Sequence, residues 1–102
     1  MTMCGSLDEV RRNIDRLDRE IVVLLAERSQ YVRQAARFKP TRSDIVVPAR
    51  IEEIVTRVRH VANELGADPE LMEKIYRAMI DAFIWHEARA WADLHGSGEG
   101  GK

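Results

Sequence analysis

The chain has 102 residues, which suffices for one small domain. A core of that size buries only about two thirds of the chain's surface, so association with a second copy is a natural supplement. Charged residues make up 32% of the chain and cancel to a formal net charge of -1, which argues against a nucleic-acid-binding protein. Cys4 is the single cysteine, and this excludes an intramolecular disulfide and a cysteine-rich zinc site. Residues 1–7 carry no signal-peptide pattern, and no later run approaches the roughly 20 apolar residues needed to span a bilayer. A soluble, cytoplasmic protein is expected.

Residues 1–6 read as an N-terminal extension, and Ser6 with Glu9 as the capping box that opens a first helix. No Gly or Pro follows until Pro40, so the helix is expected to run through Lys39, a length of about 33 residues or about 50 Å. Its apolar stripe is Val10, Ile14, Leu17, Ile21 and Leu24, then Arg28, then Tyr31, Ala35 and Phe38. The rest of so short a chain is too little to cover all of that stripe, and a helix from a second copy is the economical solution. Residues 40–47 form a connector expected to border a site. Pro48 suits the first turn of a second helix, which Gly66 closes after Leu65. Asp68 and Pro69 open a third helix whose inner side carries Leu71, Met72, Ile75, Tyr76, Met79, Ile80, Phe83, Ile84, Glu87, Trp91 and Leu94. Residues 96–102 are Gly-rich and expected to be a disordered tail. The fold class is all-α, with three helices, one of them long, forming an intertwined homodimer over residues 7–95.

Some residues interrupt this apolar scheme. Arg28 stands where the stripe asks for an apolar side chain, so something anionic should face it, either a ligand or a carboxylate from another helix. Arg11, Asp18, Leu25, Val32 and Lys39 recur every seventh residue and line the edge of the same face. Arg28 and Lys39 can converge, whereas Arg11 lies about 25 Å from Arg28 along the helix. In an antiparallel pair of copies, Arg11 of one chain can reach Arg28 and Lys39 of the other, giving two equivalent sites. Taken singly, Arg11 and Lys39 also read as ordinary solvated charges. Glu87 is a carboxylate in an apolar row and invites a basic partner, whether as a salt bridge or in a catalytic role. His60, His86 and His95 show no metal-ligand spacing with acidic residues, and no metal is assigned.

The segments Val10-Arg11-Arg12-Asn13-Ile14-Asp15-Arg16-Leu17-Asp18, Leu24-Leu25-Ala26-Glu27-Arg28, Phe38-Lys39 and Pro48-Ala49-Arg50 together resemble the all-helical chorismate mutases. The segment from Tyr31 to Lys39 is similar to the subgroup containing isochorismate-pyruvate lyase. The resemblance implies a cofactor-free, entwined dimer of the shikimate pathway, serving aromatic amino acid biosynthesis by rearranging chorismate to prephenate. It also implies that Arg28 and the other chain's Arg11 hold the substrate carboxylates, with Arg50 bordering the site. Lys39 would donate to the ether oxygen as that atom gains charge, and Ala35, Ile51, Ile80, Phe83 and Ile84 would form apolar walls.

Two positions depart from the commoner family pattern. Arg50 is followed by Ile51 instead of glutamate, as in the lyase-like subgroup. Glu87 stands where many members have Gln and some mutases Glu, and a glutamate donates to the ether oxygen only when protonated. The competing readings are a lyase giving salicylate and pyruvate, a mutase for an amino analogue, and a non-catalytic helical dimerisation domain whose cations pair across the interface.

Overall fold

The structure is a computed structural model that describes the backbone of residues 3–100 and the side chains of residues 3–96. It is all-helical: α1 spans Leu7–Ala36, a short 3-10 helix spans Arg42–Ile45, α2 spans Pro48–Leu65 and α3 spans Pro69–Gly100. The expected all-α class with three helices is what forms, although α3, at 32 residues, is as long an element as α1 at 30. No helix among the described residues is long and apolar enough to cross a membrane.

Local chemistry accounts for most of the boundaries. At the start of α1, Ser6 Oγ accepts from the Glu9 N–H at 3.1 Å, while the Glu9 carboxylate accepts from the Gly5 N–H at 3.0 Å. The reciprocal arm of the capping box thus reaches one residue further back than the usual pattern. Val47, in extended geometry, leads into Pro48 at the head of α2, where the missing proline N–H costs nothing. Gly66 ends α2 with φ 71°; its N–H bonds the Asn63 carbonyl at 3.2 Å, and the Ala67 N–H bonds that of Ala62 at 2.8 Å. A left-handed residue after the last turn satisfies carbonyls that the helix leaves without partners, and glycine takes that conformation without strain. Asp68 Oδ1 then accepts from the N–H groups of Glu70 at 2.9 Å and Leu71 at 3.4 Å, capping α3.

Two boundaries differ from the sequence reading. Helix α1 stops at Ala36, not Lys39, after 30 residues. The chain tightens into three-residue bonds: Arg37 N–H to Gln34 O at 3.1 Å, Phe38 N–H to Ala35 O at 3.0 Å, and Lys39 N–H to Ala36 O at 3.3 Å. Pro40 disfavours α geometry at Lys39, so the helix unwinds before it. Lys39 therefore does not extend the seven-residue row of α1. At the other end α3 continues to Gly100, through residues assigned above to a disordered tail, of which 101–102 lie outside the described residues.

The chain divides into two compact units, 1–31 and 32–102. The first is the α1 segment, whose apolar side chains are largely exposed, with Ile14 at 50%, Ile21 at 50% and Leu24 at 65%. In the second, α2 packs along α3 and the 3-10 helix packs against α3. Its buried apolar residues are Ala36, Ile45, Val55, Ala62, Ile80 and Ala90.

Outside that core, Arg77 of α3 bridges to α2. Its Nη1 and Nη2 donate to the two Glu52 oxygens at 3.0 and 2.9 Å, and its Nε donates to Glu73 Oε2 at 2.7 Å. Arg59 Nη1 donates to Glu73 Oε1 at 2.8 Å. The hydrogen bonds from Arg77 hold the carboxyls of Glu52 and Glu73 below their ordinary value of 4.5 and raise the guanidinium. For an acid depressed in the folded state, the contribution to stability is present above the unfolded value and is lost as the pH falls through the folded one. The melting-temperature gap between the parent and Arg77→Met should therefore be constant from neutral pH down to about 5 and narrow below about 4. A gap independent of pH between 3 and 6 in thermal melts followed by circular dichroism would remove this network from the stability of the helix pair.

Candidate active site

Among the described residues of the 32–102 unit, Glu87 is the buried charged one, 9% exposed in a core otherwise made of Ala, Ile and Val. It lies on α3 one turn before Trp91. Its Oε2 is 3.2 Å from Lys39 Nζ, with the two side chains 11% and 23% exposed. The Lys39 ammonium also donates to the Asp44 carbonyl at 3.4 Å, so the connector contributes to the setting. The connector is itself closed by Asp44, whose Oδ2 accepts from the Thr41 N–H at 3.0 Å and from its hydroxyl at 2.8 Å. The polar centre of this unit is thus an ammonium and a carboxylate, mostly shielded from water, at the join between the end of α1, the connector and α3.

The other expected site residues of this unit are arranged around α2 and α3. Ile51 is half-buried and lines, with Pro48, Glu52, Arg77, Ile80 and Asp81, an open concavity of about 320 Å³. Arg50 is exposed and pairs with Glu53 on its own helix rather than with the Lys39–Glu87 pair. Phe83 and Ile84 are half-buried, with the Phe83 ring edge-on to His86 at 6.1 Å between centroids. In the 1–31 unit, Arg28 is half-buried with its Nη1 shielded from solvent, while Arg11 is exposed. The structure therefore brings Lys39 and Glu87 into contact, as the carboxylate in the apolar row led one to expect.

Sequence reasoning placed Trp91 on the inner side of α3 but gave it no partner. Its Nε1 donates to the Lys39 carbonyl at 3.0 Å. The available signal was its position one turn after Glu87. Among the described residues, no group of three or more His, Cys, Asp or Glu could hold a metal ion.

These features define an all-helical protein with a partly buried cation held by its fold. The chain belongs to the chorismate mutase type II family, which matches residues 10–88. It is 31% identical over 94 residues to the isochorismate pyruvate lyase of Pseudomonas aeruginosa, spanning 92% of this chain and 93% of that protein. It is 31% identical over 80 residues to the chorismate mutase of Methanocaldococcus jannaschii, covering 78% of this chain and 81% of the other. A bifunctional chorismate mutase/prephenate dehydratase of Aquifex aeolicus is 36% identical over 82 residues, 76% of this chain and 23% of that longer protein.

Removing one member of a shielded ion pair strands the other charge, whereas replacing both with apolar groups is far less harmful. Glu87→Leu should destabilise the fold by about 3 kcal/mol, and the double variant Lys39→Met/Glu87→Leu should recover most of that loss. Urea unfolding of the parent, Lys39→Met, Glu87→Leu and the double variant checks it. Additive single and double effects would mean the two groups are not energetically coupled.

Proposed function

We propose that the protein is a chorismate mutase, working as an intertwined homodimer in the cytoplasm and converting chorismate to prephenate without a cofactor. The observation that carries the reading is the Lys39 ammonium held at the shielded join of three elements in a chain of this family. The reaction is an isomerisation: the ether C–O bond breaks as a C–C bond forms, and no group is gained or lost. No nucleophile is required, so the protein's task is to hold a compact dianion and to stabilise the charge that develops on the ether oxygen. On this reading Lys39 donates to that oxygen. Glu87, as a carboxylate, holds the ammonium in place; it can donate to substrate itself only when protonated. Arg28 and the partner copy's Arg11 take the two carboxylates, Arg50 borders them after releasing Glu53, and Ile51, Phe83 and Ile84 supply apolar wall.

The dimer supports this assignment of Arg11 and rests on the stripe of α1. Val10, Ile14, Leu17, Ile21 and Leu24 are between 39% and 65% exposed, and covering each would contribute about 1 kcal/mol. A second copy of the same helix offers a matching stripe.

A second reading is favoured by one pair of observations. The lyase of Pseudomonas aeruginosa matches along 92% of this chain, and Ile51 follows Arg50 where a glutamate would contact the ring hydroxyl of chorismate. The same pocket could then take isochorismate and eliminate pyruvate, leaving salicylate. Incubating the pure protein with each substrate separately and identifying prephenate, salicylate and pyruvate decides between the two. Turnover of neither would favour a non-catalytic dimerisation domain.

If the mutase reading holds, Lys39→Ala should lower kcat by about 100-fold or more with a smaller change in KM, because its contact strengthens as charge develops. Arg28→Ala should impair both binding and turnover, since a carboxylate contact persists through the reaction. Normal kinetics in Arg28→Ala would overturn its assignment.

The shared site has its own test. Arg11→Ala and Arg28→Ala chains, each inactive alone, should regain activity when unfolded and refolded together, because some mixed dimers contain one site with both arginines. Sedimentation should give twice the chain mass. An active monomer, or a refolded mixture as inactive as its parents, would exclude a site shared between copies.

A further inference from the structure

Lys39 lies beyond the end of α1, and its backbone is weakly anchored along its own chain. Its N–H makes a long three-residue bond of 3.3 Å to Ala36, and Pro40 follows with no N–H to continue any ladder. What fixes its carbonyl is α3: Trp91 Nε1 donates to it at 3.0 Å, across 52 positions of sequence. Trp91 stands four residues after Glu87, about 6 Å further along the helix. One strip of α3 therefore holds Lys39 at both ends, the ammonium through Glu87 at 3.2 Å and the backbone carbonyl through Trp91. The indole is itself held. The His95 ring stacks on it at 4.2 Å between centroids and 21° between planes, and His95 Nδ1 lies 3.0 Å from the Trp91 carbonyl.

We propose that Trp91 is a positioning residue for the Lys39 ammonium, its indole N–H fixing the backbone from which that side chain reaches the reacting oxygen. A flexible four-carbon stem delivers its charge to a defined point only if its root is fixed, and electrostatic stabilisation depends on charge placed before the reaction begins. The kinetic part of this inference rests on the mutase reading; the structural part does not.

Three variants in the full chain test it: Trp91→Phe, which keeps an aromatic ring but no donor; Trp91→His, whose five-membered ring can place Nε2 where the indole nitrogen was; and Trp85→Phe, which alters an indole 61% exposed to solvent. Loss of one neutral hydrogen bond to the root of Lys39 should lower kcat for chorismate in Trp91→Phe about 5- to 10-fold, with KM changed less than about 2-fold. Trp91→His should recover most of kcat, and Trp85→Phe should match the parent. In the Lys39→Ala background, Trp91→Phe should have no further effect. Amide hydrogen exchange, which needs no substrate, should speed up in Trp91→Phe at residues 37–46 and stay at parent rates in α2.

The inference is overturned if Trp91→Phe keeps parent kcat, if its loss appears in KM alone, if Trp91→His is as slow as Trp91→Phe, or if exchange rises uniformly. Should Trp91→Phe fail to fold by circular dichroism, Trp91→His decides: folded with near-parent kcat it supports the role, folded and slow it removes it. A parent that turns over no chorismate refutes the mutase reading, and the exchange pattern then judges the contact on its own.

Discussion

An ammonium and a carboxylate removed from most of their water must find each other, because either one alone in that setting costs several kcal/mol. The Lys39–Glu87 pair imposes this condition on the 32–102 unit, where the two side chains are 23% and 11% exposed. Lys39 comes from the unwound end of α1 and Glu87 from the middle of α3, so the pair forms only if these segments are in register. The apolar neighbours follow from that register. Ala36 closes the last turn of α1 and is fully buried, Ile45 of the 3-10 helix is 5% exposed, and Ala90, one turn from Glu87 on the same side, is 1% exposed.

The second charged group of this unit is of a different kind. Arg77, Glu52, Glu73 and Arg59 join α2 to α3 through well-directed bonds of 2.7 to 3.0 Å. Their side chains are nonetheless 28% to 64% exposed, so solvent screens them and the network contributes geometry more than energy. Its effect is to hold α2 at a fixed register on α3, which in turn keeps Ile51 and Ile80 on the walls of the same concavity. A solvent-screened network can be altered with modest loss. The shielded Lys39–Glu87 pair cannot.

What the sequence makes legible is whatever local pattern determines. Pro48, Gly66 and Asp68 set the bounds of α2 and the start of α3 through bonds within a few residues, and those bounds form as read. Glu87 was legible because helical periodicity puts a lone carboxylate in an apolar row. The end of α1 was misplaced because Arg37, Phe38 and Lys39 are adequate helix formers, so composition carried the helix to Pro40, while backbone sterics ahead of a proline end it three residues sooner. The position of Trp91 one turn after Glu87 was legible, but its bond to the Lys39 carbonyl was not. A side chain bonded to a distant backbone group leaves no periodicity and constrains no residue type at the acceptor, so only coordinates reveal it. The run of α3 through residues 96–100 likewise goes against glycine's weak helix propensity, which is a small bias per residue that an established helix can override.

Earlier termination of α1 also alters how the cations relate to one another. Were Lys39 on a continuous helix, its distance from Arg28 would be set by helical rise alone, and the two would share one rigid rod. Instead, Arg37 and Phe38 in tight turns separate Lys39 from the end of α1, and Glu87 and Trp91 of α3 hold it. Arg11 and Arg28 remain fixed to each other by α1. On the mutase reading this divides the work: one rod carries the groups that recognise carboxylates, while a different element carries the group that meets the developing charge. Glu87 also limits what Lys39 can do, because a carboxylate at 3.2 Å attracts the same ammonium that must turn toward the substrate. Three donor hydrogens on the ammonium allow both contacts at once, provided the root of the lysine does not move. On the mutase reading, with Trp91 as the positioning residue proposed above, catalysis by fixed charge depends on how firmly the Lys39 carbonyl, one residue before a proline, is held in place.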